Sequence, residues 1–100
     1  MFKELDPLLH SQLRLAIMSI LIGIKEADFN FLKEKTQATA GNLSVQIEKL
    51  QQANYIDVEK TYKGKIPQTI CRISDNGKNA FEQYVLNLKD YLQNANMNNH

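Results

Sequence analysis

At Asn54 the hydrophobic period of this 100-residue chain changes from that of a helix to that of a strand. That change constrains the fold more than any other feature. Upstream, in ATAGNLSVQIEKLQQAN, residues Ala40, Leu43, Ile47 and Leu50 recur at helical spacing and share one side of a helix over about residues 40–53. Thr39 is a good N-cap for it, and Asn54 suits the left-handed position that ends a helix. Downstream, YIDVEKTY alternates Ile56 and Val58 with Asp57 and Glu59, as a half-buried strand does. KGKIP is a turn with Gly and Pro punctuation. QTICRIS is a second strand, with Thr69, Cys71 and Ile73 on one side and Ile70 and Arg72 on the other. Two strands around a Gly-containing loop predict a hairpin.

The flanking segments are helical. Asp6-Pro7 signals a helix start, and residues 10–25 read as a helix that is apolar on more than one side. Leu9, Leu13, Ile17, Ile20 and Ile24 form one stripe, and Leu15, Met18 and Ile22 form another. A helix apolar all round must be covered all round, and in a chain this small a second subunit can supply the cover. Asp28 caps a short helix over residues 29–36, and Gln37-Ala38 is a tight connection to the next. Ser74 caps a last long helix, about residues 75–94. Its Phe81, Tyr84, Leu88, Tyr91 and Ala95 follow a heptad spacing that Val85 and Leu92 widen. The polar end, about residues 95–100, is expected to fray. With no repeat and no linker, residues 1–100 read as one domain with its core over about residues 8–75.

Composition excludes more than it asserts. The hydrophobic fraction of 43% is enough for a core, and the net charge of +1 makes the distribution of charge matter more than its sum. The longest apolar run, residues 15–24, is broken by Ser19 and is too short to cross a bilayer. Glu4 and Asp6 stand where a signal peptide needs positive charge, so the expectation is a soluble cytoplasmic chain with no membrane partner. The single cysteine, Cys71, lies on the strand side of Thr69 and Ile73 and reads as a buried, inert thiol rather than a redox switch. His10 and His100 have no Cys, Asp or Glu at ligand spacing, so neither a metal site nor any cofactor is expected. No nucleophile motif, phosphate-binding glycine loop or His-centred triad suggests an enzyme.

The order helix, short helix, tight turn, helix, hairpin, long helix is the plan of a winged helix-turn-helix. Several segments carry a family resemblance: Asp28-Phe29, GNLS at residues 41–44, Lys49-Leu50, NYI at 54–56, VEK at 58–60, then GKIPQT and RIS with NG at 76–77. Over about residues 8–92 the chain resembles the small single-domain winged-helix regulators of the MarR/ArsR type. The resemblance implies an α+β, mostly α fold with a three-helix core, a two-stranded β wing and a long C-terminal dimerisation helix. It also implies a dimeric, sequence-specific DNA-binding regulator from a prokaryotic cytoplasm.

The residues support the same expectation. A recognition helix over about residues 39–53 must enter a major groove about 12 Å wide. Gly41 permits close approach, Asn42 and Gln46 can pair bidentately with adenine, and Val45 can meet a thymine methyl. Thr39 and Ser44 can bind phosphate, and Lys49 can reach a phosphate or a guanine. The wing, about residues 60–72, offers Lys60, Lys63, Lys65 and Arg72 with no acid between Lys60 and Ser74. Arg14, Lys33 and Lys35 are candidates for flanking phosphate contacts.

Leu9, Leu13, Ile17, Phe81, Tyr84, Leu88 and Tyr91 are the candidate dimer interface, a seam able to hold a small apolar effector. A two-fold dimer suits a palindromic operator. Without a second domain to recruit polymerase, repression by occlusion is the simpler expectation. The rival reading is a winged-helix protein–protein interaction module without DNA binding, favoured by Ile66 and Gln68 standing where the wing would carry cations. RNA binding is a weaker third, since no aromatics stack on a sheet face.

Overall fold

The computed structural model describes residues 2–96; Met1 and residues 97–100, His100 among them, lie outside the described residues. Asp6 does start a helical turn, but a short one. Its Oδ1 accepts from Leu8 N at 2.9 Å, and its carbonyl accepts from Leu9 N and His10 N. The turn buries Leu9 and ends at Ser11, whose extended backbone (φ −149°) separates it from α1 (Gln12–Ile24). The helix expected over residues 10–25 therefore begins two residues later. Asp6 also has a tertiary partner, since Tyr55 Oη donates to its Oδ2 at 2.5 Å. That bond and burial push the Tyr55 hydroxyl up to about 12, burial being the larger cause.

In α1 the buried seam is Ile17, Met18 and Leu21. It runs between the two stripes expected from sequence, so each stripe lies on its flank. Ile24 ends half exposed. Lys25 takes a positive φ (75°) and turns the chain into β1 (Glu26–Asp28), a strand too short to show a period. It pairs antiparallel with β3 through Glu26–Arg72, Ala27–Cys71 and Asp28–Ile70. The sheet therefore has three strands in the order β1-β3-β2, where the sequence predicts two.

The next two helices follow from their caps. Phe31 N donates to Asp28 Oδ1 at 2.7 Å to open α2 (Phe29–Thr36), and Gln37 (φ 59°) closes it. Asn42 N donates to Thr39 Oγ1 at 3.2 Å to open α3 (Ala40–Gln52). Leu43, Ile47 and Leu50 are buried as expected. Ala40 is exposed, not inward, because the first turn of α3 precedes its contact with the core. At the other end Tyr55 N donates to the Leu50 carbonyl and Asn54 N to that of Gln51. With Asn54 at φ 61° this is a Schellman termination, which satisfies the last helical carbonyls and aims the chain into β2 (Ile56–Lys63).

The hairpin turn is tighter than KGKIP suggests. Only Gly64 and Lys65 lie outside β2 and β3 (Ile66–Ile73), and Gly64 takes φ 66°, as the first central residue of a II′ turn must. Ile66 and Pro67 are strand residues. Lys63–Ile66 closes the turn, so the next pair, Tyr62–Pro67, is the kind that exchanges no hydrogen bonds. Pro67 thus costs the β2 ladder nothing, and β1 stops short of it on the other side.

Ser74 anchors the last helix, α4 (Asp75–Asn96). Its Oγ accepts from Gly77 N at 2.9 Å and donates to the Asn54 carbonyl at 2.6 Å. The helix runs into the segment expected to fray; the end of that segment lies outside the described residues. Leu9, Ile17, Met18, Leu21, Leu32, Leu43, Leu50 and Ile56 are fully buried, each contributing about 1.5–3 kcal/mol of transfer free energy. This core fixes α3 and the hairpin side by side.

Candidate nucleic-acid interface

The buried stripe of α3 decides what its other sides can do. Opposite Leu43, Ile47 and Leu50 stand Gly41, Val45 and Lys49, all exposed, Val45 at 49%. A Cβ built on Gly41 meets nothing within 4 Å, so no contact inside the chain requires glycine there. On the flank toward α1 lie Asn42 and Gln46. Gln46 Nε2 donates to Asn42 Oδ1 at 2.9 Å, and Gln46 Oε1 accepts from Arg14 Nη1. Gln46 is thus bridged to two neighbours. Thr39 Oγ1 caps the helix by accepting, which leaves its own hydroxyl proton free for an external oxygen.

On the other flank, Ser44, Glu48 and Gln51 face the hairpin across a groove of about 530 Å³, also lined by Phe29, Val58, Lys60 and Thr69. Register explains Lys60: it shares a strand face with Ile56 and Val58, the face turned toward α3. Lys60 and Glu48 bring opposite charges to this groove, which the sequence places far apart.

Beyond Lys60 the hairpin projects past the core. Lys63 and Lys65 are exposed at its end, and Tyr62 is 70% exposed on the strand face of Lys60. Tyr62 is a surface candidate that periodicity conceals. Its place in the alternation groups it with buried Ile56 and half-buried Val58, and only the projection of the hairpin shows it to be outside.

Arg72 stands elsewhere. It sits mid-sheet on the opposite face, with Nε 2.9 Å from Glu26 Oε1 and Nη1 2.8 Å from Glu59 Oε1. These hydrogen bonds, first to Glu59 and then to Glu26, hold its pKa above the ordinary guanidinium value. The hairpin is acid-free from Lys60 to Ser74 in sequence, but β1 and β2 bring two carboxylates against its arginine. Asp28, on the same face, accepts from Gln68 Nε2 at 3.1 Å. Its carboxyl lies below the usual range, chiefly through the Phe31 N–H, then Gln68. Lys33 and Lys35 are exposed on α2, with Lys35 Nζ 5.6 Å from the centre of the Phe31 ring.

Of the candidate seam, Leu9, Ile17 and Tyr84 are buried in the chain's own core, Leu13, Phe81 and Tyr91 are half-buried, and Leu88 is exposed. Tyr84 Oη lies 3.0 Å from His10 Nδ1, which gives His10 a tertiary contact that its place near a helix start does not reveal. Ile22, Phe81, Val85 and Leu86 line an apolar hollow between α1 and α4. Cys71 is buried, and burial, with a smaller effect from Asp28, pushes its thiol up to about 11, far from a reactive thiolate. Among the described residues no cluster of His, Cys, Asp or Glu could hold a metal ion, and no helix is long and apolar enough to cross a membrane.

Comparison with known proteins agrees with this geometry. Residues 13–92 match a family model described as a winged helix DNA-binding domain. An uncharacterized protein of Methanocaldococcus jannaschii is 33% identical over 86 residues, covering 85% of this chain and 92% of that one. The structure of a transcriptional regulator homologue from Pyrococcus horikoshii OT3 superposes with a TM-score of 0.83 at 25% identity, over 88% of this chain and 87% of that one. The YusO protein from Bacillus subtilis shares the fold, with a TM-score of 0.73 at 16% identity over 91% of this chain and 60% of that one. The matched family and fold are those of DNA-binding regulators, not of enzymes.

Proposed function

We propose a function from a plain premise: the chain belongs to the winged helix DNA-binding domain family. It acts as a sequence-specific regulator of transcription on double-stranded DNA, of the MarR/ArsR type, in a prokaryotic cytoplasm. The observation that carries this reading is the outer face of α3. Gly41, Val45 and Lys49 point away from the core beside a hairpin that projects Lys63 and Lys65. With α3 in the major groove, Val45, Asn42 and Lys49 meet base edges while Thr39 and Ser44 meet phosphates. The hairpin lies along the backbone or minor groove, held by Lys60, Lys63 and Lys65 and aided by Tyr62. Arg72 contributes less, because Glu26 and Glu59 already match its charge. Two copies joined along α1 and α4 set two α3 helices on a palindromic operator. Repression by occlusion follows from binding alone.

A rival reading, a protein-interaction module, draws support from the matched charge of Arg72 and from the exposed leucines of α4. One experiment separates them. Fluorescence anisotropy on mixed-sequence duplex DNA is run over a salt series for the wild type and for Lys63→Ala/Lys65→Ala. A regulator binds with a steep salt dependence, and the double variant lowers the log–log slope by about 2, since each phosphate contact contributes about 0.9. Absence of binding at low salt overturns the regulator reading.

A further inference from the structure

Arg14 belongs to α1, not to the helix assigned to the groove, yet it is tied to that helix. Its Nε donates to the Leu8 carbonyl at 2.6 Å and its Nη1 to Gln46 Oε1. Gln46 Nε2 then donates to Asn42 Oδ1 at 2.9 Å. A guanidinium has donors and no acceptor. The oxygen of Gln46 must therefore face Arg14, and its nitrogen must face Asn42. The oxygen of Asn42 must in turn face Gln46. An isolated amide leaves its orientation open, but this relay fixes it from the charged end. Asn42 is exposed, and the group turned away from Gln46 is its Nδ2, a pair of donors that no acceptor among the described residues engages.

Resting on the DNA-binding reading above, we infer that Arg14 is a positioning residue for base recognition. Through Gln46 it holds the Asn42 amide with its nitrogen outward, so that Asn42 selects guanine rather than adenine. The chemistry lies in the base edges. Adenine shows the major groove one acceptor and one donor, so reading it bidentately requires both the oxygen and the nitrogen of an amide. Guanine shows two acceptors, N7 and O6, which suit an outward nitrogen alone. The pairing of Asn42 and Gln46 with adenine, expected from residue type, is replaced by one reader and one bridge.

Gln46→Glu tests this by changing a single amide nitrogen to oxygen on a half-buried residue outside the core. The new carboxylate still accepts from Arg14 but offers Asn42 an acceptor. The Asn42 amide then turns over to donate to it, and its oxygen faces outward toward a donor-bearing base, cytosine or adenine. Sites are selected from randomised duplexes, and the selected site and its single-base-pair variants are measured by anisotropy. The wild type should prefer guanine at one position per half-site by about tenfold, and Asn42→Ala should lose that preference at that position alone. Gln46→Glu should move the choice to cytosine or adenine there, but should leave base choice unchanged in an Asn42→Ala background. Arg14→Met should let adenine compete with guanine, while Arg14→Lys, still only a donor, should keep guanine. Retention of guanine by Gln46→Glu, or an Asn42→Ala variant that selects the wild-type site unchanged, overturns the inference while leaving DNA binding intact. A wild type that binds no duplex removes both readings.

Discussion

Two glycines show how far one residue can set either the fold or the surface. Gly77 is buried in the first turn of α4, where an added Cβ would stand 2.0 Å from the Tyr55 carbonyl oxygen and 2.8 Å from its carbon. That carbonyl cannot retreat easily. It accepts from Ser74 N at 3.1 Å, and its own residue closes α3 through Leu50. Gly77→Ala should therefore destabilise the chain by about 3 kcal/mol, the upper range for overpacking, seen as a lower urea midpoint. Gly41 is the opposite case, since its Cβ would meet only open space. Gly41→Ala should leave stability unchanged or raise it by up to about 1 kcal/mol, the helix-propensity gain, while weakening duplex binding. Stability and binding moving in opposite directions at Gly41 would mark it as a surface glycine kept for close approach. A variant that binds as well as the wild type would show that nothing approaches there.

The elements are held by their junctions, and Asp28 is the clearest of these. It ends β1, caps α2 through Phe31 N and receives Gln68 from β3. Asp28→Ala should cost about 1 kcal/mol, the usual worth of a cap. Asp28 also sets a pH dependence whose sign is fixed. Its folded pKa lies below the ordinary 3.8, so its stabilisation is present above that value and is lost as pH falls through the folded one. Asp28→Asn should flatten this acid limb of the stability curve, as read by thermal melts between about pH 2 and 5. The cap was legible in sequence, as were Thr39, the Asn54 reversal and the two strand faces of the hairpin, because each is set by local backbone chemistry. β1 was not, since three residues show no period. The pairing of Arg72 with Glu26 and Glu59 was hidden too, because strand order brings together charges up to 46 positions apart. The bridge from Arg14 to Gln46 was hidden for the same reason: helical spacing says which residues share a face and nothing of what packs beside it.

At the scale of the whole molecule the long α4 poses the remaining question of cover. It has 22 residues, and the chain reaches 60 Å in its longest dimension against 25 and 21 Å in the others. The stripe on α4 passes from buried Tyr84 to Leu88 and Leu92, 37% and 61% exposed, while Leu86 is exposed on another side. The N-terminal segment covers part of this half: the Phe2 ring packs tilted against Tyr91, centroids 4.9 Å apart, and Tyr91 Oη donates to the Lys3 carbonyl. The leucines beside it remain uncovered by the described residues, and a second α4 of the same pattern is the occupant the proposed dimer supplies. Leu88→Glu/Leu92→Glu should therefore leave the fold intact, because neither side chain belongs to the buried core, but should place like charges across the seam. Sedimentation velocity should show a dimer for the wild type and a monomer for the variant. Affinity for a two-half-site operator should then fall to that for a single half-site, while the salt slope per protomer stays the same. If the variant remains dimeric, the seam lies elsewhere, and the hollow lined by Ile22, Phe81 and Val85 becomes the surface to alter next.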